Sequence, residues 1–294
     1  TGVIGVPLPM EKIEAGIGSC VAKLDGSLAS AKDSAAAICT TDTFSKEVSV
    51  ELSVQGKTIC IGGMAKGSGM IHPDMATMLS FITTDANVEP AYLQKLLGST
   101  VVDSYNMISV DGDTSTNDTV LVLANGASNS VVINAGVEGE EEFAEAFLYV
   151  HTELAKLIVL DGEGAGKFIE MTVSGAKTKE DARLIARSAI SSSLVKAAFF
   201  GADANWGRIL CAMGYSKASF DPEAVTVTYT SDAGTITVLE HGSPIAFDES
   251  YAKKVLREKV IRVQAQVGDG TESAIAWGCD LTYEYVRING DYRS

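Results

Sequence analysis

Residues 46–61 alternate with a period of two, which commits this stretch to a half-buried β-hairpin. Val48, Val50, Leu52 and Val54 face one way, and Ser49, Glu51, Ser53 and Gln55 the other. Gln55-Gly56 turns the chain, and Thr58-Ile59-Cys60-Ile61 returns. A glycine-rich stretch, 62–69, reads as a loop and runs through Ile71-His72-Pro73-Asp74-Met75-Ala76-Thr77 into a short apolar strand at 78–83.

Elsewhere the spacing predicts helices over 10–28, 89–97, 140–160 and 180–198, and another around 250–258. Phe143, Phe147, Val150, Leu154, Leu157 and Ile158 recur at helical spacing in the third of these. Strands are expected at 168–173, 225–230, 235–239, 260–267 and 274–288. Strands and helices interleave without a regular βαβ rhythm, so the fold class is α/β of the α+β kind, with layered sheets flanked by helices.

The balance of 23 Lys+Arg against 38 Asp+Glu gives a net charge of −15, which repels phosphate backbones and anionic membranes. Nucleic acid and membrane are therefore not expected partners, and no run of 18 apolar residues is present to span a bilayer. Five cysteines, scattered and without a CxxC, suit a reducing soluble compartment rather than a disulfide framework or zinc site. The three histidines are equally dispersed, so metal chemistry has little to build on.

Three weaker patterns carry little. Residues 62–69 lack the GxxxxGK[ST] order of a phosphate loop, since Gly67 separates Lys66 from Ser68. The segment from Asp111 to Asp118 resembles the opening of a calcium loop. It has Thr116 where Gly is needed and Val122 where Glu is needed, so turn or capping duty is expected. His72 has no Ser or Cys pattern paired with it and reads as a structural loop histidine.

The run Lys66-Gly67-Ser68-Gly69-Met70-Ile71-His72-Pro73-Asp74-Met75-Ala76-Thr77 closely resembles the self-cleavage site of the ornithine acetyltransferase (glutamate N-acetyltransferase) family. The likeness continues through Thr1-Gly2-Val3-Ile4-Gly5, Thr40-Thr41-Asp42-Thr43, Asp111 to Asp118, Asp161-Gly162-Glu163-Gly164-Ala165 and Asp203-Ala204-Asn205-Trp206-Gly207-Arg208. It extends to Ala276-Trp277-Gly278-Cys279-Asp280-Leu281-Thr282-Tyr283 and the final Asn289 to Ser294.

The resemblance implies a precursor cut between Ala76 and Thr77, with the freed Thr77 as nucleophile. The chain would divide into 1–76, the C-terminal part of an α-chain, and 77–294, a β-chain of 218 residues (294 − 76). It implies Thr1 and Gly2 as the oxyanion hole, and Thr40, Lys66, Thr77, Glu163, Asn289 and Ser294 as substrate contacts. By the same resemblance Thr1 is internal to a longer precursor, so an upstream stretch is expected.

The implied reaction is ping-pong transfer of acetyl from N2-acetylornithine to L-glutamate in arginine biosynthesis. It needs no metal or organic cofactor, and an α2β2 heterotetramer is implied. Some members of the family also take acetyl from acetyl-CoA, for which no residue pattern here provides a signature. The compartment would be cytoplasm in a prokaryote, and mitochondrion or chloroplast in a eukaryote.

The chemistry is coherent: a threonine hydroxyl is a poor nucleophile until a base takes its proton. An α-amine with a reference pKa near ~7.7–8.0 suits that task at neutral pH. Two other readings are weighed. A related N-terminal-nucleophile aminopeptidase or amidase would hand the acyl group to water, and a substrate panel separates it. An inactive truncated interaction protein would run as one uncut band.

Overall fold

The computed structural model describes residues 5–72 and 78–291. The hairpin forms as read, from β1 (Lys46–Val54) and β2 (Lys57–Lys66), paired antiparallel from Lys46↔Ala65 to Val54↔Lys57. Gln55 and Gly56 sit at φ 48° and 76°, the positive-φ pair that a two-residue hairpin turn requires. β2 then pairs antiparallel with β3 (Leu79–Thr84), which pairs parallel with β5 (Thr119–Ala124). The four-stranded sheet has the order β1-β2-β3-β5 and takes strands from both sides of position 76.

A second, seven-stranded sheet is built from β4 (Ile108–Ser109), β6 (Phe168–Ala176), β7 (Thr226–Ser231), β8 (Gly234–Glu240), β9 (Ser243–Pro244), β10 (Val260–Gln266) and β11 (Glu272–Cys279). Its order is β4-β11-β6-β10-β7-β8-β9. The helices flanking the two sheets are α1 (Met10–Val21), α2 (Leu28–Ala37), α3 (Pro90–Asp103), α4 (Glu140–Leu160) and α5 (Lys179–Ser191). After them come α6 (Ser193–Gly201), α7 (Trp206–Gly214), α8 (Glu249–Leu256) and α9 (Tyr283–Asp291). This is the layered α/β arrangement expected from the interleaving of elements.

Helix α4 organises the core. Glu140, Glu141 and Glu142 occupy its first turn, where carboxylates suit the helix dipole. Phe143, Phe147, Val150, Leu154 and Ile158 are fully buried against β1 and β2, each worth about 1.5–3 kcal/mol on the area scale. A Cβ at Gly63 would lie 2.3 Å from Ile82 Cδ1 and 2.9 Å from Leu154 Cδ1, so the missing side chain lets helix and sheet approach.

That contact also corrects the sequence reading, since residues 62–66 belong to strand β2 and not to a loop. Three further segments differ. The expected helix 10–28 stops at Val21, and a second helix starts at Leu28, capped by Ser27 accepting the Ser30 N–H. The expected helix 180–198 breaks at Ser192, where α5 and α6 meet at 58° and the Ser192 hydroxyl caps the second. The expected strand 274–288 ends at Cys279, and Tyr283–Asp291 is helical. Among the described residues, no single helix is long and apolar enough to cross a membrane.

One core residue has an unusual setting. His151 on α4 is fully buried, with its ring 4.3 Å from Phe147 and 5.5 Å from Tyr105 by centroid. Neither ring nitrogen finds a hydrogen-bond partner among the described residues, and burial pushes its pKa down to about 3. The unfolded chain binds that proton near 6.5, so stability falls with pH by about 1.4 kcal/mol per unit below that value. His151→Phe removes this slope and the unsatisfied nitrogens, with an expected gain of about 1–3 kcal/mol at neutral pH. Urea unfolding of both proteins at pH 7 and pH 5 measures the two effects.

Candidate active site

The strand register gathers the site at one end of the four-stranded sheet. β2 ends where β3 begins, because Lys66 pairs with Leu79, and β5 begins there too, because Leu79 pairs with Thr119. Lys66, Met78 and Asp118 therefore meet at a single sheet end. The segment before β1 joins them: Asp42 Oδ1 accepts the Gly67 N–H at 2.8 Å.

Beneath this end lies a buried ion triad. Lys46 Nζ donates to Asp42 Oδ1 and to Asp161 Oδ2, both at 2.6 Å. Asp161 also accepts the Thr43 N–H at 2.9 Å and the Thr43 hydroxyl. Burial raises the Asp42 pKa, but the Gly67 N–H and the Lys46 ammonium outweigh it and hold the carboxyl below its usual value. Each carboxylate has charged and neutral donors, which is what a buried ion needs.

Two residues beyond Asp161, the buried Glu163 carboxylate lies against the loop after β2. Its Oε1 accepts from Thr41 Oγ1 at 2.9 Å and its Oε2 from Asn289 Nδ2 at 2.7 Å. Ser68 Oγ closes the network at 2.5 Å from Thr41 Oγ1, and the Glu163 N–H donates to Ser68 O at 2.8 Å. A Cβ on Gly69 would fall 2.2 Å from Glu163 Oε2, so the carboxylate occupies the room that glycine leaves. Asn289 arrives on α9, whose start is fixed by Thr282 Oγ1 donating to Gly164 O at 2.7 Å.

Lys66 is buried, and among the described residues no carboxylate lies within ion-pair distance of its ammonium. An ammonium and a carboxylate held at one sheet end form a complementary pair for an amino-acid zwitterion.

Of the substrate contacts implied by resemblance, Lys66, Glu163 and Asn289 are brought to this end. Thr40 is exposed and its N–H turns to Asp42 Oδ2. The hydroxyl on Glu163 belongs to its neighbour Thr41. Thr1, Gly2, Ala76, Thr77 and Ser294 lie outside the described residues.

His72 sits at the upstream edge of that gap, with Nδ1 3.1 Å from Ser109 Oγ and Nε2 3.3 Å from an Arg187 guanidinium nitrogen. The segment from Asp111 to Asp118 does more than turn. Asp111 accepts the Met70 and Ile71 N–H groups, and Asp118 accepts the Met78 N–H at 2.7 Å. Sequence reasoning gave these aspartates local turn duty, whereas they bind backbone about forty residues away. Among the described residues, no three His, Cys, Asp or Glu side chains assemble as a metal site would need.

The ArgJ family model matches the chain over residues 1–294. The arginine biosynthesis bifunctional protein ArgJ of Caldanaerobacter subterraneus subsp. tengcongensis is 55% identical over 294 residues, covering all of this chain and 72% of that protein. Its counterpart from Thermotoga neapolitana is 53% identical over 297 residues, covering all of this chain and 73% of that protein. Among solved structures, the arginine biosynthesis bifunctional protein ArgJ from Bacillus halodurans matches with a TM-score of 0.70 and 41% identity. The match covers 74% of this chain and 100% of that one.

Proposed function

The chain belongs to the ArgJ family and is an acyltransferase of arginine biosynthesis, and on that premise we propose that it works through an acetyl ester on Thr77. The donor is N2-acetylornithine, the acceptor is L-glutamate, and the nucleophile is freed by autocatalytic cleavage between Ala76 and Thr77. The observation that carries the reading is the convergence of Lys66 and Glu163 at the sheet end where β3 begins, two residues after Thr77 in sequence.

In the first half-reaction Thr77 Oγ attacks the acetyl carbonyl while its α-amine takes the hydroxyl proton. Backbone donors of Thr1 and Gly2 hold the tetrahedral oxyanion. Ornithine leaves with the proton, and glutamate then takes the acetyl group. Lys66 pairs with the substrate α-carboxylate and Glu163 with an ammonium, together with Asn289, while Thr40 and Ser294 complete the contacts.

The share of chain matched by the Bacillus halodurans structure also supports cleavage. That protein aligns over its whole length to 74% of this chain, the share that the 218 residues (294 − 76) from Thr77 onward would occupy. The β2–β3 ladder explains how the cut halves remain one molecule, and the reading extends to an α2β2 assembly. All five cysteines are free, which suits a reducing compartment.

N-terminal sequencing of the larger fragment tests the cleavage: the reading requires Thr77 at its start. The same preparation, assayed with acetyl-CoA in place of acetylornithine, decides whether it is a second donor. A steric variant tests the substrate site. Gly69→Ala drives a methyl into the Glu163 carboxylate and should raise KM for acetylornithine on the order of tenfold by spoiling one charge-assisted bond. An unchanged KM would place the ammonium contact elsewhere.

A further inference from the structure

Two short segments meet residue for residue beside the site. Thr43 holds Asp161 through its N–H and its hydroxyl, and two residues earlier Thr41 holds Glu163, which lies two residues later. The first contact belongs to the buried ion triad, because Asp161 and Asp42 share the Lys46 ammonium. The second lies outside the triad, and the mechanism just described gives Thr41 no task. Its hydroxyl nevertheless bridges two buried residues, lying 2.9 Å from Glu163 Oε1 and 2.5 Å from Ser68 Oγ.

Counting hydrogens gives that bridge a direction. An ionised carboxylate only accepts, so Thr41 gives its single hydroxyl hydrogen to Glu163. The 2.5 Å contact is then the Ser68 hydroxyl donating to Thr41. Accepting that bond makes the Thr41 hydroxyl a stronger donor in turn. On the other side of the carboxylate, Asn289 Nδ2 donates to Oε2 at 2.7 Å and to Tyr285 O at 3.1 Å, which uses both of its hydrogens.

Among the described residues each Glu163 oxygen therefore has one side-chain donor, and a carboxylate oxygen can accept about two. One acceptor site on each stays open to a ligand. Two donors at opposite ends also stop rotation about the last side-chain torsion, which is otherwise broad. The backbone is tied to the same place, since the Glu163 N–H donates to Ser68 O at 2.8 Å.

We propose that Thr41 is the positioning residue for Glu163: its hydroxyl, aimed by Ser68, fixes the carboxylate in the orientation that takes the substrate ammonium. The inference rests on the Glu163 reading above. Thr41 moves no proton and acts through the carboxylate alone. Without its hydroxyl, Asn289 holds one oxygen only, and the carboxylate turns among orientations of which few face the ligand.

The test is Thr41→Val in the full chain, which keeps the branched shape and removes the hydroxyl. KM for acetylornithine should rise about tenfold with kcat within about threefold of the parent, the pattern of a lost binding contact. Thr41→Ser keeps the donor and loses only the methyl that restricts χ1, so KM should return to within about threefold. Ser68→Ala removes only the group that aims Thr41 and should raise KM about threefold.

A double-mutant cycle separates positioning from a structural role. Glu163→Ala should raise KM on the order of a hundredfold, and adding Thr41→Val to it should change KM by less than about twofold. A merely structural threonine would give the same tenfold rise in both backgrounds. An unchanged KM in Thr41→Val, a kcat loss as large as the KM rise, no recovery in Thr41→Ser, or the full tenfold in the Glu163→Ala background would each overturn the proposal. Were Thr41→Val to lose its cooperative melt, Ser68→Ala decides, and there an unchanged KM overturns it. Failure of the Glu163 reading shows separately, as a Glu163→Ala variant with the KM of the parent.

Discussion

Thr77→Ala should give a single uncut chain with no measurable transfer, a loss of at least about 10⁴-fold, the scale of removing a covalent nucleophile. The reason is that one residue performs two acts. On the proposed mechanism its hydroxyl attacks the Ala76 carbonyl during processing, and afterwards its hydroxyl carries the acetyl group. Alanine removes the oxygen, so no ester can form at either stage, and the α-amine base is never released. Thr77→Ser keeps both the oxygen and the amine and should retain cleavage and part of the activity. It loses only the methyl group that restricts χ1 of the nucleophile. A denaturing gel reads processing, and an acetylornithine-to-glutamate assay reads transfer. A cut alanine variant would remove the chemical basis of the account.

Lys46→Met should cost about 3–5 kcal/mol of stability, the usual price of stripping the cation from a buried ion group. Lys46, Asp42 and Asp161 have side-chain exposures of 0%, 0% and 2%, so water cannot replace the lost ammonium. The two carboxylates would then face each other across the gap, and one would be driven to take up a proton. Acidification should therefore narrow the stability gap between variant and parent, both of which also carry the His151 penalty. The site should suffer too, because Asp42 fixes the Gly67 amide and Asp161 leads directly into Glu163. Thermal melts at pH 7 and pH 5 measure the first effect, and KM for acetylornithine measures the second. A loss below about 1 kcal/mol, the range of an exposed pair, would show that the triad is not sealed from solvent.

The parts of the fold that were legible in the sequence are those where one local signal dominates. The hairpin shows a clean alternation and a Gln-Gly turn, and α4 repeats its buried residues every three or four positions. The errors fall where a tertiary contact decides. Gly62 and Gly63 looked like loop because glycine is a poor strand former, yet Gly63 is needed for the approach of Leu154.

The 274–288 segment looked like strand because Tyr283, Tyr285, Val286 and Ile288 favour β structure. Its Tyr283 and Val286 are exposed, 83% and 66%, so no sheet face constrains them. A helix signal was present all the same: Thr282 Oγ1 accepts the Tyr285 N–H, and Glu284 stands in the first turn.

Lys66, Glu163 and Asn289 were singled out by resemblance, and hydrogen bonds through Thr41 and Ser68 set Glu163 and Asn289 beside the loop that follows Lys66. The contacts of Thr41, Ser68 and Asp118 were not, because nothing local shows that a threonine will bind a carboxylate over a hundred positions away or an aspartate an amide forty away.

The most direct measurement incubates the protein with N2-acetylornithine in the absence of glutamate and maps the acetyl group by mass spectrometry. The account predicts one acetyl group per chain, on the side-chain oxygen of Thr77, in a fragment that begins at that residue. That group should disappear on addition of glutamate as N-acetylglutamate forms. An acetyl group on any other side chain, or full activity from an uncut chain, would contradict it.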